Sequence, residues 1–175
     1  MKKYSIIYAD PPWQYKTYSK KGQGRSAEKH YPTMTLDEIC LLPVEQLADD
    51  DCVLFMWTTV PFLRDCFSVL DAWGFTYKTV AFTWVKQNKK SDSFFTGMGY
   101  YTRANAEYCL LATKGKILER KSRAVHSVVC SRIERHSKKP NEVRDRIVQL
   151  FGDIPRIELF AREYADGWHC WGNEV

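Results

Sequence analysis

Short apolar runs separated by polar or Pro- and Gly-marked breaks organise this chain. The first run, Tyr4-Ser5-Ile6-Ile7-Tyr8-Ala9, reads as a buried strand that Asp10-Pro11-Pro12 stops abruptly. Thr35-Leu36-Asp37-Glu38 is a capping-box pattern and predicts a short helix that Pro43 ends or kinks. Cys52-Val53-Leu54-Phe55-Met56-Trp57 is an apolar run of strand length. A helix is predicted after it, with Thr59 as cap, Pro61 in its first turn and Gly74 as its stop. Its inward face is then Phe62, Leu63, Cys66, Phe67 and Leu70.

Residues 75–85 form an aromatic and β-branched strand, 88–103 a polar loop with glycines, and Glu107-Tyr108-Cys109-Leu110-Leu111 another strand. Ser127-Val128-Val129-Cys130 predicts a short strand. A last helix starts near Pro140, turns Val143, Ile147, Leu150 and Phe151 inward and stops at Gly152, and Ile157-Glu158-Leu159-Phe160-Ala161 is a final strand. Strands alternating with helices imply an α/β sheet with helices on both faces. With no repeat, low-complexity tract or linker, residues 1–175 read as a single domain.

Composition narrows the class. Apolar residues make up 45% and aromatics 14%, which excludes a disordered chain. No apolar run reaches membrane-spanning length, and the run after Met1-Lys2-Lys3 is too short for a signal peptide, so an unexported, cytoplasmic protein is expected. The six cysteines show no C-x-x-C spacing, which favours free thiols over a disulfide framework or a zinc site. Charge is uneven: residues 114–139 carry nine Lys or Arg against Glu119 and Glu134, a net +7, while the rest of the chain sums to −2. A smaller cluster holds Lys16, Lys20, Lys21, Arg25 and Lys29 against Glu28. Such stretches suit a phosphate backbone, and equally a solvated loop.

Asp10-Pro11-Pro12-Trp13 is the most specific signal, because ligands of open α/β sheets bind beyond the carboxyl ends of strands. An adenine amine is a poor nucleophile, its lone pair being delocalised into the ring. A carboxylate accepting one N–H and a backbone carbonyl accepting the other favour a pyramidal nitrogen whose lone pair is free to attack. Proline fixes φ and removes a competing amide donor, and an aromatic neighbour offers a stacking face. Asp10 is then the carboxylate, the Pro11 or Pro12 carbonyl the second acceptor, and Trp13 the stacking platform. A rigid turn with a surface aromatic is the structural alternative.

The chain resembles the DPPW-type adenine-N6 methyltransferases, the family that includes the eukaryotic messenger-RNA adenine methyltransferase and many bacterial and phage enzymes. Besides the tetrapeptide, the resemblance runs through Tyr31-Pro32-Thr33-Met34, the strand ending at Trp57, and Trp84-Val85-Lys86. It continues in Thr102-Arg103, Glu107-Tyr108-Cys109-Leu110, His136-Ser137-Lys138-Lys139-Pro140, Glu158-Leu159-Phe160-Ala161-Arg162 and Trp171-Gly172-Asn173-Glu174. It implies a Rossmann-like, S-adenosyl-L-methionine-dependent methyltransferase sheet in circularly permuted order, with the catalytic motif N-terminal and the cofactor motif C-terminal. It further implies that Lys139 meets the cofactor's carboxylate, that Arg162, Asn173 and Glu174 contact its ribose and adenosine, that Phe160 forms an apolar wall, and that Asp10 lies near its ammonium group. Longer relatives carry an acidic cofactor contact on a strand before the catalytic one. Nine residues precede Asp10 here, so that contact is expected to be absent or replaced.

Gly22-Gln23-Gly24-Arg25-Ser26-Ala27 follows Lys20-Lys21 rather than an apolar strand, so it fails the context of a dinucleotide fingerprint and reads as a basic substrate loop. Tyr31 matches a family position near the target base. Lys86, Arg103, Arg120, Lys121 and Arg123 are candidate substrate contacts to phosphate. No metal is required, since a sulfonium already supplies the electrophile. The expected activity is adenine-N6 methylation of DNA, with RNA methylation or a non-catalytic nucleic-acid-binding partner as alternatives. Nucleic acid is the expected partner, in a homodimer or in a heterodimer with a related chain, and no membrane.

Overall fold

The computed structural model describes residues 1–14 and 32–175. Its centre is β1 (Tyr4–Ala9), with the bounds that the apolar run predicts. Both flanking strands run parallel to it: β2 (Ala48–Thr58) on one side and β6 (Arg156–Leu159) on the other. A strand covered on both faces and both edges has no use for polar alternation, so Ile6, Ile7, Tyr8 and Ala9 are all buried.

From β1 the chain passes through α1 (Leu36–Cys40) into β2, then through α2 (Leu63–Ala72) into β3 (Thr76–Gln87). It returns along β4 (Ala106–Lys114), antiparallel to both β2 and β3, and reaches β5 (Val128–Arg132) at the sheet edge. Helix α3 (Glu142–Phe151) then carries it back to β6, and β7 (His169–Trp171) closes the opposite edge. The seven-stranded order is β5-β3-β4-β2-β1-β6-β7. The connection from β1 runs to β2 on one side and that from β5 through α3 to β6 on the other, which makes the carboxyl end of β1 the point where a crevice opens in such sheets.

Helices cover both faces, as the alternation of patterns implies. Residues Cys66, Val69 and Leu70 of α2 pack with Ile7, Leu54 and Met56 on one face. Val143 and Ile147 of α3 pack with Ile6, Tyr8 and Phe55 on the other. Thr35 and Glu38 exchange the reciprocal capping bonds, and Trp73 Nε1 ties α2 to α1 by donating to Ile39 O at 2.9 Å. Gly74 ends α2 at φ +81°, a left-handed stop that favours glycine. Two expectations shift. The last long strand ends at Leu159 rather than Ala161, because Phe160 turns out of the sheet at φ +60°, and β7 has no counterpart among the predicted elements. All six cysteines are free, and no helix among the described residues is long and apolar enough to cross a membrane.

Candidate active site

Asp10 follows the last residue of β1, and the turn after it is pinned by its own backbone. Trp13 N–H donates to Pro11 O and Met34 N–H to Pro12 O, each at 2.9 Å. Both carbonyls considered for the amine are thus held in fixed directions, and each keeps a second lone pair. Pro12 borders the larger cleft and Pro11 a smaller one. Asp10 borders both.

The carboxylate of Asp10 faces a cation. Lys139 Nζ lies 3.1 Å from Asp10 Oδ2 and 3.6 Å from Glu107 Oε2, and Lys86 Nζ lies 3.5 Å from that same Glu107 oxygen. Lys139 also donates to Ser137 O at 3.0 Å and sits 5.8 Å from the Trp57 ring centroid. Its side chain is 11% exposed and that of Glu107 is 5% exposed, so the alternating row Lys86, Glu107, Lys139, Asp10 is a charge-balanced array with an enclosed middle and partly open ends. Unpaired charges would not survive such burial. Burial raises the pKa of Asp10, Lys139 opposes that rise and Glu107 adds to it.

Two clefts meet at this carboxylate. The larger is lined by Asp10, Pro12, Met34, Ser137, Phe160, Arg162, Trp171, Asn173 and Glu174. Phe160 and Trp171 meet edge-on at 5.5 Å to form its aromatic wall. Gly172 lies so close to Ala161 that an added Cβ would come 2.4 Å from the Ala161 carbonyl, so only glycine brings this strand end against the wall. Arg162 Nε pairs with Glu174 at 2.9 Å, and its Nη1 donates to His136 O. The smaller cleft is lined by Pro11, Trp13, Trp57, Thr58, Thr59, Glu107 and Lys139. Among the described residues the buried Trp13 Nε1 has no hydrogen-bond partner.

The MT-A70 family model matches residues 4–174. The chain belongs to the MT-A70 family. It is 39% identical to Type II methyltransferase M.MunI of Mycoplasma sp., over 99% of this chain and 78% of that protein. It is 30% identical to the N(6)-adenosine-methyltransferase MT-A70-like protein of Drosophila melanogaster and 29% to the human N(6)-adenosine-methyltransferase catalytic subunit METTL3. The latter two are matched over 99% of this chain but only 27% and 28% of their own lengths.

Within this MT-A70 fold, Asp10, Pro11, Pro12, Trp13, Lys139, Phe160, Arg162, Asn173 and Glu174 gather at the carboxyl end of β1. Trp13 is not an open platform: it is 5% exposed and stacks on Phe62 at 5.5 Å, leaving its other surfaces to the smaller cleft. Lys86 is not presented to phosphate either, because its ammonium is enclosed by Glu107 and the rings of Trp84 and Phe95. Arg103 is exposed on the loop between β3 and β4, at the same end of the sheet as Asp10.

Arg120, Lys121 and Arg123 do not join the site. Lys121 N–H donates to Leu150 O, in the last turn of α3, and α3 begins near Lys139 and runs away from it. Tyr31, the glycine-containing basic loop and the cluster from Lys16 to Lys29 lie outside the described residues. Glu107 carries no site role in the sequence reading, although it had a signal: a carboxylate inside the apolar β4 run is costly unless a cation meets it.

Proposed function

We propose that this chain transfers a methyl group from S-adenosylmethionine to the exocyclic N6 amine of adenine in DNA. The observation that carries this reading is the position of the Asp10 carboxylate, shared by two clefts of different chemistry. The larger cleft fits the cofactor: an aromatic wall for an adenine ring and Arg162, Asn173 and Glu174 for ribose hydroxyls, with Lys139, in an adjoining cleft that shares Asp10, Phe160 and Arg162, for a carboxylate. When bound, S-adenosylmethionine supplies an electrophilic methyl group.

The chain's own residues then prepare the nucleophile. Asp10 accepts one amine N–H and the Pro12 carbonyl the other, which localises the nitrogen lone pair. Trp13 Nε1, a buried donor in the smaller cleft, is available to a ring nitrogen of the base. Lys139 keeps Asp10 ionised against the upward pull of burial. The base has to leave a duplex to reach this depth, by flipping or from a single strand.

DNA is favoured over RNA because the likeness to Type II methyltransferase M.MunI is stronger and spans more of that protein than does the likeness to the N(6)-adenosine-methyltransferases. The RNA reading draws on those same relatives, which match 99% of the chain. The same proposal takes residues 1–175 as one methyltransferase domain in permuted order, acting in the cytoplasm as a dimer with itself or a related chain. Mass spectrometry of nucleosides after incubation with labelled cofactor and duplex DNA, single-stranded DNA or RNA tests it. N6-methyladenine from DNA is expected; label on another base or atom, or none on any polymer, overturns the reading.

A further inference from the structure

The loop between β3 and β4 holds two tyrosines turned almost wholly to water. Tyr100 is 91% and Tyr101 96% exposed, the most exposed aromatic rings among the described residues. A large ring left open on a surface marks a contact site more often than a packing residue does.

Their display is built into the backbone. Tyr101 takes φ +64°, and Thr102 N–H donates to Tyr100 O at 2.8 Å, closing a tight three-residue turn around Tyr101. A bulky residue in that conformation is strained, and strain of this kind persists where the surroundings enforce it. Gly99 is part of the enforcement, because a Cβ there would lie 2.1 Å from the Thr102 carbonyl. The rings meet edge-on at 4.9 Å and 87°, so the edge of one covers a face of the other and the remaining faces stay open for stacking.

The loop is also tied to the catalytic end of the sheet. Strands β1, β2 and β3 share a direction, so the loop that follows Gln87 emerges at the same end of the sheet as Asp10, with β4 and β2 between. At its root Phe95 N–H donates to Lys86 O, Lys86 reaches Glu107, and Glu107 reaches the Lys139 that faces Asp10. On the same loop Lys89, Lys90 and Arg103 are exposed, while Asp92, the loop's acidic residue, is paired with Arg132 at 2.8 Å. Exposed aromatics among unopposed cations are the chemistry of a strand of bases on a phosphate backbone, whereas an apolar protein partner would leave those cations without counter-charges.

We propose that Tyr100 and Tyr101 stack on nucleobases flanking the target adenine and hold the strand over the active site. This rests on the nucleic-acid reading above and adds the residues that grip the neighbouring nucleotides. The test is fluorescence anisotropy with labelled single-stranded DNA, duplex DNA and RNA oligonucleotides at several salt concentrations. Tyr100→Ala/Tyr101→Ala is expected to raise Kd about 10-fold or more on the polymer the wild type prefers, and Tyr100→Phe/Tyr101→Phe to keep it within about 2-fold. The log–log salt slope stays unchanged, because stacking releases no counterions. Calorimetry with S-adenosylmethionine is expected to give equal affinity for all three proteins, which certifies the fold of the variants. An alanine variant with wild-type Kd overturns the proposal, and one that instead shifts the sedimentation coefficient assigns the rings to a subunit contact. Wild-type protein that binds none of the three polymers overturns the broader reading and this one together.

Discussion

The carboxyl end of the sheet and the segment by the far end of α3 both carry clustered cations but treat them in opposite ways. At the carboxyl end the enclosed Lys138 and Lys139 each meet a carboxylate, at 2.6 and 3.1 Å. At the far end Lys121 pairs with Glu119 where both side chains are more than half exposed, and Arg120 and Arg123 lie on open surface. Enclosed cations need matched partners because desolvation is expensive, whereas exposed ones are screened by water and salt. Density of charge along the chain is therefore a poor guide to chemistry, and enclosure is a better one.

Asp10→Ala gives the sharpest test of that contrast. It removes the acceptor where the two clefts meet and is expected to lower kcat by about 100-fold or more while the melting temperature holds. Activity within about 3-fold of wild type refutes the proposed role.

Lys139→Ala comes next. Loss of a charge-assisted contact is expected to weaken S-adenosylmethionine binding by about 10-fold or more in calorimetry, with nucleic-acid affinity changing less. The reverse order of effects would move Lys139 to the substrate side.

A subtler effect is expected from Glu107→Gln. Asp10 must be ionised to accept the amine proton, so activity falls as pH drops through its pKa. Burial holds that pKa above the ordinary carboxylate value, and the negative charge of Glu107 pushes it higher. Removing that charge should lower the pKa and carry the acid limb of the kcat/KM profile to lower pH. A limb that stays put or moves up breaks the link between the two carboxylates.

The smallest effect is expected from neutralising Arg120, Lys121 and Arg123 together. Far from Asp10, they should leave turnover and cofactor affinity at wild-type values and the salt slope for nucleic acid nearly unchanged. A slope reduced by about 0.7–0.9 for each residue would show that bound nucleic acid extends to that end of the molecule.

Several elements were legible because local chemistry decides them. The bounds of β1 follow from an apolar run and two prolines, and the α1 cap from side chains three residues apart. The inward face of α2 was read correctly at Cys66 and Leu70, while Phe62, Leu63 and Phe67 are only partly buried and Val69 takes a core place. Strand β2 reaches back over Asp49, Asp50 and Asp51, residues that disfavour strands, across an irregularity where its pairing with β1 jumps from Ala48 to Val53.

The family was written in residue identities, and so was the candidate tetrapeptide, since a carboxylate after a buried strand and a Pro-Pro pair are local features. Tertiary structure alone decided which charges meet. Lys139 could have been drawn to a cofactor or to solvent, and Glu107 had no assigned partner. The parallel packing of β1 and β2 with the antiparallel β4 brings Glu107 to the same end of the sheet as Asp10, and the segment before α3 lays Lys139 against both. Contacts between residues so distant in sequence follow from strand order and register, and their worth depends on how much water the fold removes around them.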